Sequence, residues 1–287
     1  MTSNYFKGIT MTTLGVVILS FDALLIRLID SHSHELLFWR GLLMSIIVAA
    51  IFKLKYPDQA LFRSDWRFIR STLLFAVSTI SFVMAINLTS VANVLVIISV
   101  QPLIAAFLSW VFLREKTPLI TWLAIIVAML GIAWVLSDSW QGPNLKGDLL
   151  ALLCGASLAC KFVNDRAEKK FSMIPTLIGS GLLVAIFALF NSQSVMLEGA
   201  QWGWAALLCI VIVPIAFMLI TLGPKSIPAA EVGMLMLLET VIGPLWVWVF
   251  LAISPNTAAI QGGALVVTTL IIHALIRYKV HKKTALC

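Results

Sequence analysis

Apolar stretches long enough to cross a lipid bilayer recur from one end of this chain to the other, and no other feature constrains its fold as strongly. A membrane-spanning helix takes about 20 predominantly apolar residues. Such stretches have cores near 8–29, 35–52, 68–87, 91–113, 119–136, 147–165, 173–190, 202–222, 229–252 and 258–276. Ten spans is the natural count, and nine or eleven follow if the apolar run near 85–95 is divided differently. Composition agrees: 61% of the 287 residues are hydrophobic and 11% are charged, whereas a soluble domain carries roughly a quarter charged residues. The chain therefore reads as an all-α integral membrane protein, since a helix satisfies its own backbone polar groups in lipid.

The charges that remain fix an orientation. With the N-terminus inside the cell, all of the 20 basic residues except Arg27, Arg40 and Lys146 fall in cytoplasmic segments: Lys7, Lys53, Lys55, Arg63, Arg67, Arg70, Arg114, Lys116, Lys161, Arg166, Lys169, Lys170, Lys225, Arg277, Lys279, Lys282 and Lys283. Lysine and arginine concentrate on the cytoplasmic side of short loops, so both termini are expected inside. The net charge of +7 then belongs to loops facing anionic lipid headgroups, and no nucleic-acid partner is needed to explain it. The first span is too long for the apolar core of a signal peptide, and no small-residue cleavage site closes it before Asp30. Cys154, Cys160 and Cys209 fall within spans and Cys287 ends the chain, which is no disulfide framework.

"WVFL" occurs at 110–113 and again at 248–251. Sliding the chain by 138 positions lays "TSVANVLVIISVQPLIAAFLSWVFL" (89–113) over "IPAAEVGMLMLLETVIGPLWVWVFL" (227–251), with Asn93 on Glu231, Gln101 on Glu239 and Gly41 on Gly179. A shift of 139 sets Gly8 on Gly147, Arg27 on Arg166 and Asp22 on Lys161. Apolar helices can resemble one another by composition alone, but here polar positions correspond as well. The expected organisation is two five-span units, 1–140 and 141–287. Five crossings is an odd number, so the second unit enters the membrane inverted, the arrangement of secondary transporters with a substrate site between their halves.

Several segments resemble the drug/metabolite transporter superfamily, EamA family: "FWRG" (38–41), "AINLTS" (85–90), "FLREK" (112–116) and "TLGPKSIPAAE" (221–231). The resemblance covers nearly the whole chain. Helices four and nine of that family commonly end in Gly-Glu; here Arg114 replaces the glycine, and Ala252-Ile253 replaces both residues in the second repeat. The resemblance implies ten helices around a central cavity that moves small metabolites across the inner membrane.

Polar residues inside spans cost a few kcal/mol each, so they face a cavity or a partner. Glu239 lies mid-span among Leu237, Leu238, Val241 and Ile242, where desolvation penalises its charged form. It is either a protonatable cavity acid opposite its repeat mate Gln101 or an inert carboxyl bonded to a neighbouring helix. Asp22 and Lys161 occupy matching positions and invite an ion pair across the two halves, because opposite charges in lipid are cheaper together than apart. Arg40 and Arg27 are alternative partners for Asp22, and Lys161 has the alternative of reaching the cytoplasmic face. Arg40 is expected chiefly as an interfacial anchor, with attraction of a substrate carboxylate the other reading. Asn93 and Glu231 are expected as helix caps or gate contacts. Trp246, seven residues after Glu239, shares its helix face and is placed to stack on a flat substrate. Trp110, Trp122, Trp134 and Trp248 are expected deeper in the bilayer than the tryptophans at helix ends. Pro102, Pro214 and Pro244 are expected to bend their helices.

"DSHSHE" (30–35) places His32, His34 and Glu35 close together, but a solvated loop explains it better than a metal site. No nucleotide-binding, CxxC or GxGxxG pattern is present, so no cofactor is expected and any driving force comes from a gradient. An integral-membrane enzyme would need clustered His or Asp, and the four histidines at 32, 34, 273 and 281 are scattered. The expected partners are a small-molecule substrate, lipid and coupling protons, with the protein a monomer or homodimer. The expected function is export of amino-acid-like or drug-like metabolites by proton exchange, against the alternatives of a passive facilitator or an enzyme.

Overall fold

A computed structural model of the chain describes residues 2–89, 91–137, 145–192, 195–251 and 257–284. Among the described residues the secondary structure is helical throughout: α1 (Thr2–Leu19), α2 (Asp22–Ile29), α3 (Ser33–Lys55), α4 (Trp66–Leu88), α5 (Val91–Ile98), α6 (Gln101–Leu113), α7 (Leu119–Ser137), α8 (Leu145–Ala167), α9 (Thr176–Asn191), α10 (Gln201–Ala206), a π-helical turn (Leu207–Ile212), α11 (Val213–Ser226), α12 (Ala229–Leu251) and α13 (Thr257–Thr284). Each apolar stretch marked on the sequence carries helix. Five helical stretches, Asn4–Ile29, Ser33–Lys55, Trp66–Leu88, Leu145–Ala167 and Gln201–Ser226, are long and apolar enough to cross a membrane, and shorter apolar helices include Gln101–Leu113 and Thr176–Asn191. The outer surface is apolar, with Trp110, Phe112, Trp134 and Phe190 all more than half exposed, as lipid-facing residues are. Trp110 and Trp134 thus sit on the outside of the bundle. The side chains of Trp248, Pro244 and Asn93 lie outside the described residues, as do Ala252-Ile253.

Three stretches are interrupted near their middle. Between α1 and α2 the backbone breaks at Ser20–Phe21, and between α5 and α6 at Ser99–Val100. Pro102 occupies the second position of α6; it has no N–H to give the Ile98 carbonyl and its ring crowds that carbonyl, so the break falls in the turn just before it, as expected of a bend at Pro102. Pro214 likewise follows the π-helical turn, at the start of α11. Pro118 and Pro175 stand just ahead of α7 and α9, as expected of helix starts.

The most extensively packed pairs are α4 with α8, α1 with α11, α3 with α9 and α7 with α13. Small residues set the closest approach. A Cβ on Gly41 of α3 would lie 2.8 Å from the Ala185 nitrogen of α9 and closer still to the Gly181 carbonyl oxygen. Gly8 of α1 abuts Ser226 and Ile227, and Gly147 of α8 abuts Thr89.

The pattern of packing has a regularity. The pairing of α4 with α8 corresponds to that of α11 with α1 when each helix is exchanged for its counterpart in the other half. α5 and α6 pack on α8 as α12 packs on α1, while α3 with α9, α7 with α13, and α6 with α12 each map onto themselves.

Candidate functional site

The breaks and the most unusual polar residues converge on one cavity of about 50 Å3, room for a few waters. Asp22 and Arg40 line it from α2 and α3, and Glu239 and Thr240 from α12. Ser99 and Gln101 enter at the α5/α6 break, and Ser78, Thr79 and Cys154 from α4 and α8. Leu95, Phe82, Phe217 and Met236 are among the apolar residues that complete the wall.

The break at Ser20–Phe21 places Asp22 at the first residue of α2, where a helix N-terminus favours a negative charge. Arg40 answers it with a two-pronged bridge, Nη1 donating to Oδ1 at 2.5 Å and Nη2 to Oδ2 at 2.7 Å. Both side chains are almost wholly buried. Arg40 is therefore a buried partner, and the expectation of an interfacial anchor is corrected: in the interior its charge is tolerable only because a carboxylate lies in hydrogen-bond reach. Arg40 Nε has no partner among the described residues. Trp246 secures the same break. Its ring stacks on Phe21 at 4.0 Å between centroids, and its Nε1 donates to Ser20 Oγ at 2.8 Å. That contact occupies the face the sequence reading offered to a flat substrate.

Gln101 is 1% exposed, and neither its amide oxygen nor its amide nitrogen has a partner among the described residues. Glu239 is buried on α12 and makes no side-chain hydrogen bond or ion pair with any described residue. A buried polar group without a partner carries a cost comparable to a lost hydrogen bond, and here two such groups face one cavity. Of the three charged residues in the lining, Asp22 and Arg40 cancel, so an ionised Glu239 leaves the cavity negative.

Lys161 does not reach Asp22 and does not extend to the membrane face, correcting both expectations for it. It is fully buried and ion-paired to Asp165 one turn further along α8. Asp165 also accepts a hydrogen bond from Ser71 Oγ at 2.6 Å. Spacing explains the choice, since residues i and i+4 are neighbours on a helix while Asp22 is committed elsewhere. Lys161 is thus an interior charge and drops out of the loop count that set the orientation. Its Nζ lies 5.5 Å from the centroid of Phe75, which meets Phe217 edge to face at 4.6 Å. Both rings line the cavity, and Lys161, Asp165 and Ser71 do not.

Glu231 is buried away from the cavity and accepts from Tyr5 Oη at 2.7 Å, joining α12 to α1, in keeping with a contact at a helix end. His32 caps α3, with Glu35 Oε2 accepting from the His32 N–H at 3.3 Å. The sequence reading missed Asp165, Ser78, Thr79, Ser99 and Thr240. Their signals were the i+4 spacing from Lys161 and hydroxyl residues clustered within apolar spans.

A comparison with curated proteins returns no match. Solved structures do match: one crystal structure, described only as that of a protein, superposes with a TM-score of 0.82 over 95% of this chain and 98% of its own at 17% identity. That likeness concerns the fold alone. The model of the EamA-like transporter family matches twice, over residues 6–137 and 145–275. Two matches spanning nearly the whole chain settle membership: the protein belongs to the EamA-like transporter family, within the drug/metabolite transporter superfamily.

Proposed function

We propose that this protein is a proton-coupled secondary transporter that exports small amphiphilic metabolites, amino-acid-like or drug-like, across the inner membrane by alternating access. Its ten helical stretches are ten spans in two inverted halves, with both termini cytoplasmic, and it performs no enzymatic reaction.

The observation that carries this reading is that Glu239 and Gln101, neither with a side-chain hydrogen bond or ion pair among the described residues, line one cavity whose other charges, Asp22 and Arg40, are paired with each other. A permanent charge there is costly, so Glu239 is stable when a proton or a cation neutralises it. A proton and a substrate ammonium then compete for one carboxylate. Mutual exclusion at a single site makes an exchanger when the site opens to one side at a time. Gln101 offers both a donor and an acceptor to the substrate's polar end, and Phe82, Leu95 and Met236 supply an apolar wall for the rest. At about 50 Å3 the cavity is contracted, well below the several hundred Å3 of an occupied small-molecule site, so substrate binding requires the breaks at Ser20–Phe21 and Ser99–Val100 to move. Discontinuous helices near the midplane typically form the substrate site of such transporters.

Purified protein in vesicles tests this. Candidate amphiphilic amines and amino acids are supplied on one side with and without an imposed pH gradient. Uphill accumulation driven by the gradient is expected. Uptake that only equilibrates, and is indifferent to the gradient, identifies a passive facilitator and overturns the coupling.

A further inference from the structure

A second and larger cavity, about 400 Å3, lies where the start of α4 and the ends of α6 and α8 come together. α8 packs against both other helices, but α4 and α6 are not among the closely packed pairs of described residues, so the cavity is a slot between them. Its walls are apolar, with Leu74 from α4, Leu108, Phe112 and Leu113 from α6 and Val163 from α8. Arg67 and Arg70, one turn apart on α4, stand at its edge.

The Arg70 side chain is held by a neutral partner. Arg70 Nε and Nη2 both donate to Asn164 Oδ1, at 2.8 and 2.5 Å, and Asn164 Nδ2 donates to the Arg67 carbonyl at 2.8 Å. This orders the Arg70 guanidinium without cancelling its charge. Glu168 lies 3.6 Å from Arg67 and already accepts from the backbone N–H groups of Lys170 and Phe171, while Asp165, beside Asn164, is committed to Lys161 and Ser71. Among the described residues Arg67 therefore has one carboxylate in reach and Arg70 none, and both guanidinium groups line the apolar slot.

We propose that this slot binds an anionic phospholipid, with the phosphate on Arg67 and Arg70 and one acyl chain between α4 and α6. Guanidinium forks match phosphate oxygens in pairs, and the apolar walls suit a hydrocarbon chain and nothing charged. Juxtamembrane basic groups on the cytoplasmic side meet a leaflet rich in such lipids. Only the assignment to that leaflet rests on the orientation proposed above; binding itself does not depend on transport. A chain lodged in the slot holds the α6 end of its span away from α4, so the lipid acts as a wedge in the helix pair that carries Gln101.

The test uses the full chain reconstituted in nanodiscs of phosphatidylcholine alone or with phosphatidylglycerol. Two quantities are read: lipid retained by the protein in native mass spectrometry, and the rate of maleimide modification at Cys160, which lines the slot and is partly exposed. Phosphatidylglycerol is expected to be retained preferentially and to slow Cys160 modification. The double change Arg67→Ala and Arg70→Ala is expected to weaken retention about thirtyfold. Val163→Phe, which keeps both arginines and fills the slot, is expected to lower retention while leaving the charge intact. Equal retention of the two lipids, or retention unchanged by both variants, overturns the proposal. So does equal protection of Cys160 by inorganic phosphate in nanodiscs of phosphatidylcholine alone, because the site would then take a free anion.

Discussion

Asp22 and Arg40 show why partner choice inside a membrane protein is hard to read from spacing. The sequence marks both as costly, and each has more than one candidate partner. What selects the pair is the break at Ser20–Phe21, which turns Asp22 toward α3, and the fork of Arg40, which meets both carboxylate oxygens. Removing one member leaves the other charged and buried, at a cost of about 3–5 kcal/mol. Asp22→Asn should therefore lower the midpoint of thermal unfolding in detergent markedly. The double variant Asp22→Asn with Arg40→Gln should recover much of the loss. An unchanged midpoint for Asp22→Asn would show that the pair contributes no stability. Lys161 is the opposite case: its partner Asp165 stands four residues away in plain view, and a search confined to repeat mates passes over it.

At the scale of the helices, the apolar runs were legible because lipid demands them, and each carries helix in the structure, five of the stretches long and apolar enough to cross a membrane. The interruptions were less legible. Pro102 marks the Ser99–Val100 break, which falls in the turn before it, but no proline or glycine marks Ser20–Phe21, where only tertiary contacts such as Trp246 on Phe21 reveal where the helices part. Close helix crossings were half visible, since Gly41 was noted as a repeat mate of Gly179 but its actual neighbour is Gly181. Gly41→Val is expected to force α3 and α9 apart, at about 1–3 kcal/mol for overpacking, with a lower yield of monodisperse protein and a lower unfolding midpoint. Gly203→Ala is the control, because a Cβ there meets nothing within 4 Å. Equal behaviour of the two variants would mean that the α3–α9 crossing tolerates separation.

For the whole molecule, the proposal is inversion of two halves whose main packed pairs exchange with one another when each helix is replaced by its counterpart. It makes a topological prediction. Reporter fusions at Lys55 and Lys170 should report the cytoplasm, and one at Lys146 the opposite side. A fusion at Lys170 that reports the outside would contradict the inversion. The central claim, that one carboxylate alternates between proton and substrate, is tested most directly by proton flux in vesicles holding either the wild-type protein or Glu239→Gln. The variant should insert and fold normally, because it places in α12 the same amide that Gln101 supplies from α6. Wild-type protein should release protons in step with substrate movement. Glu239→Gln should either abolish transport or leave substrate movement with no accompanying proton flux. If the variant moves substrate and protons at the wild-type rate with an unchanged pH profile, Glu239 is a structural residue and the exchange mechanism is contradicted.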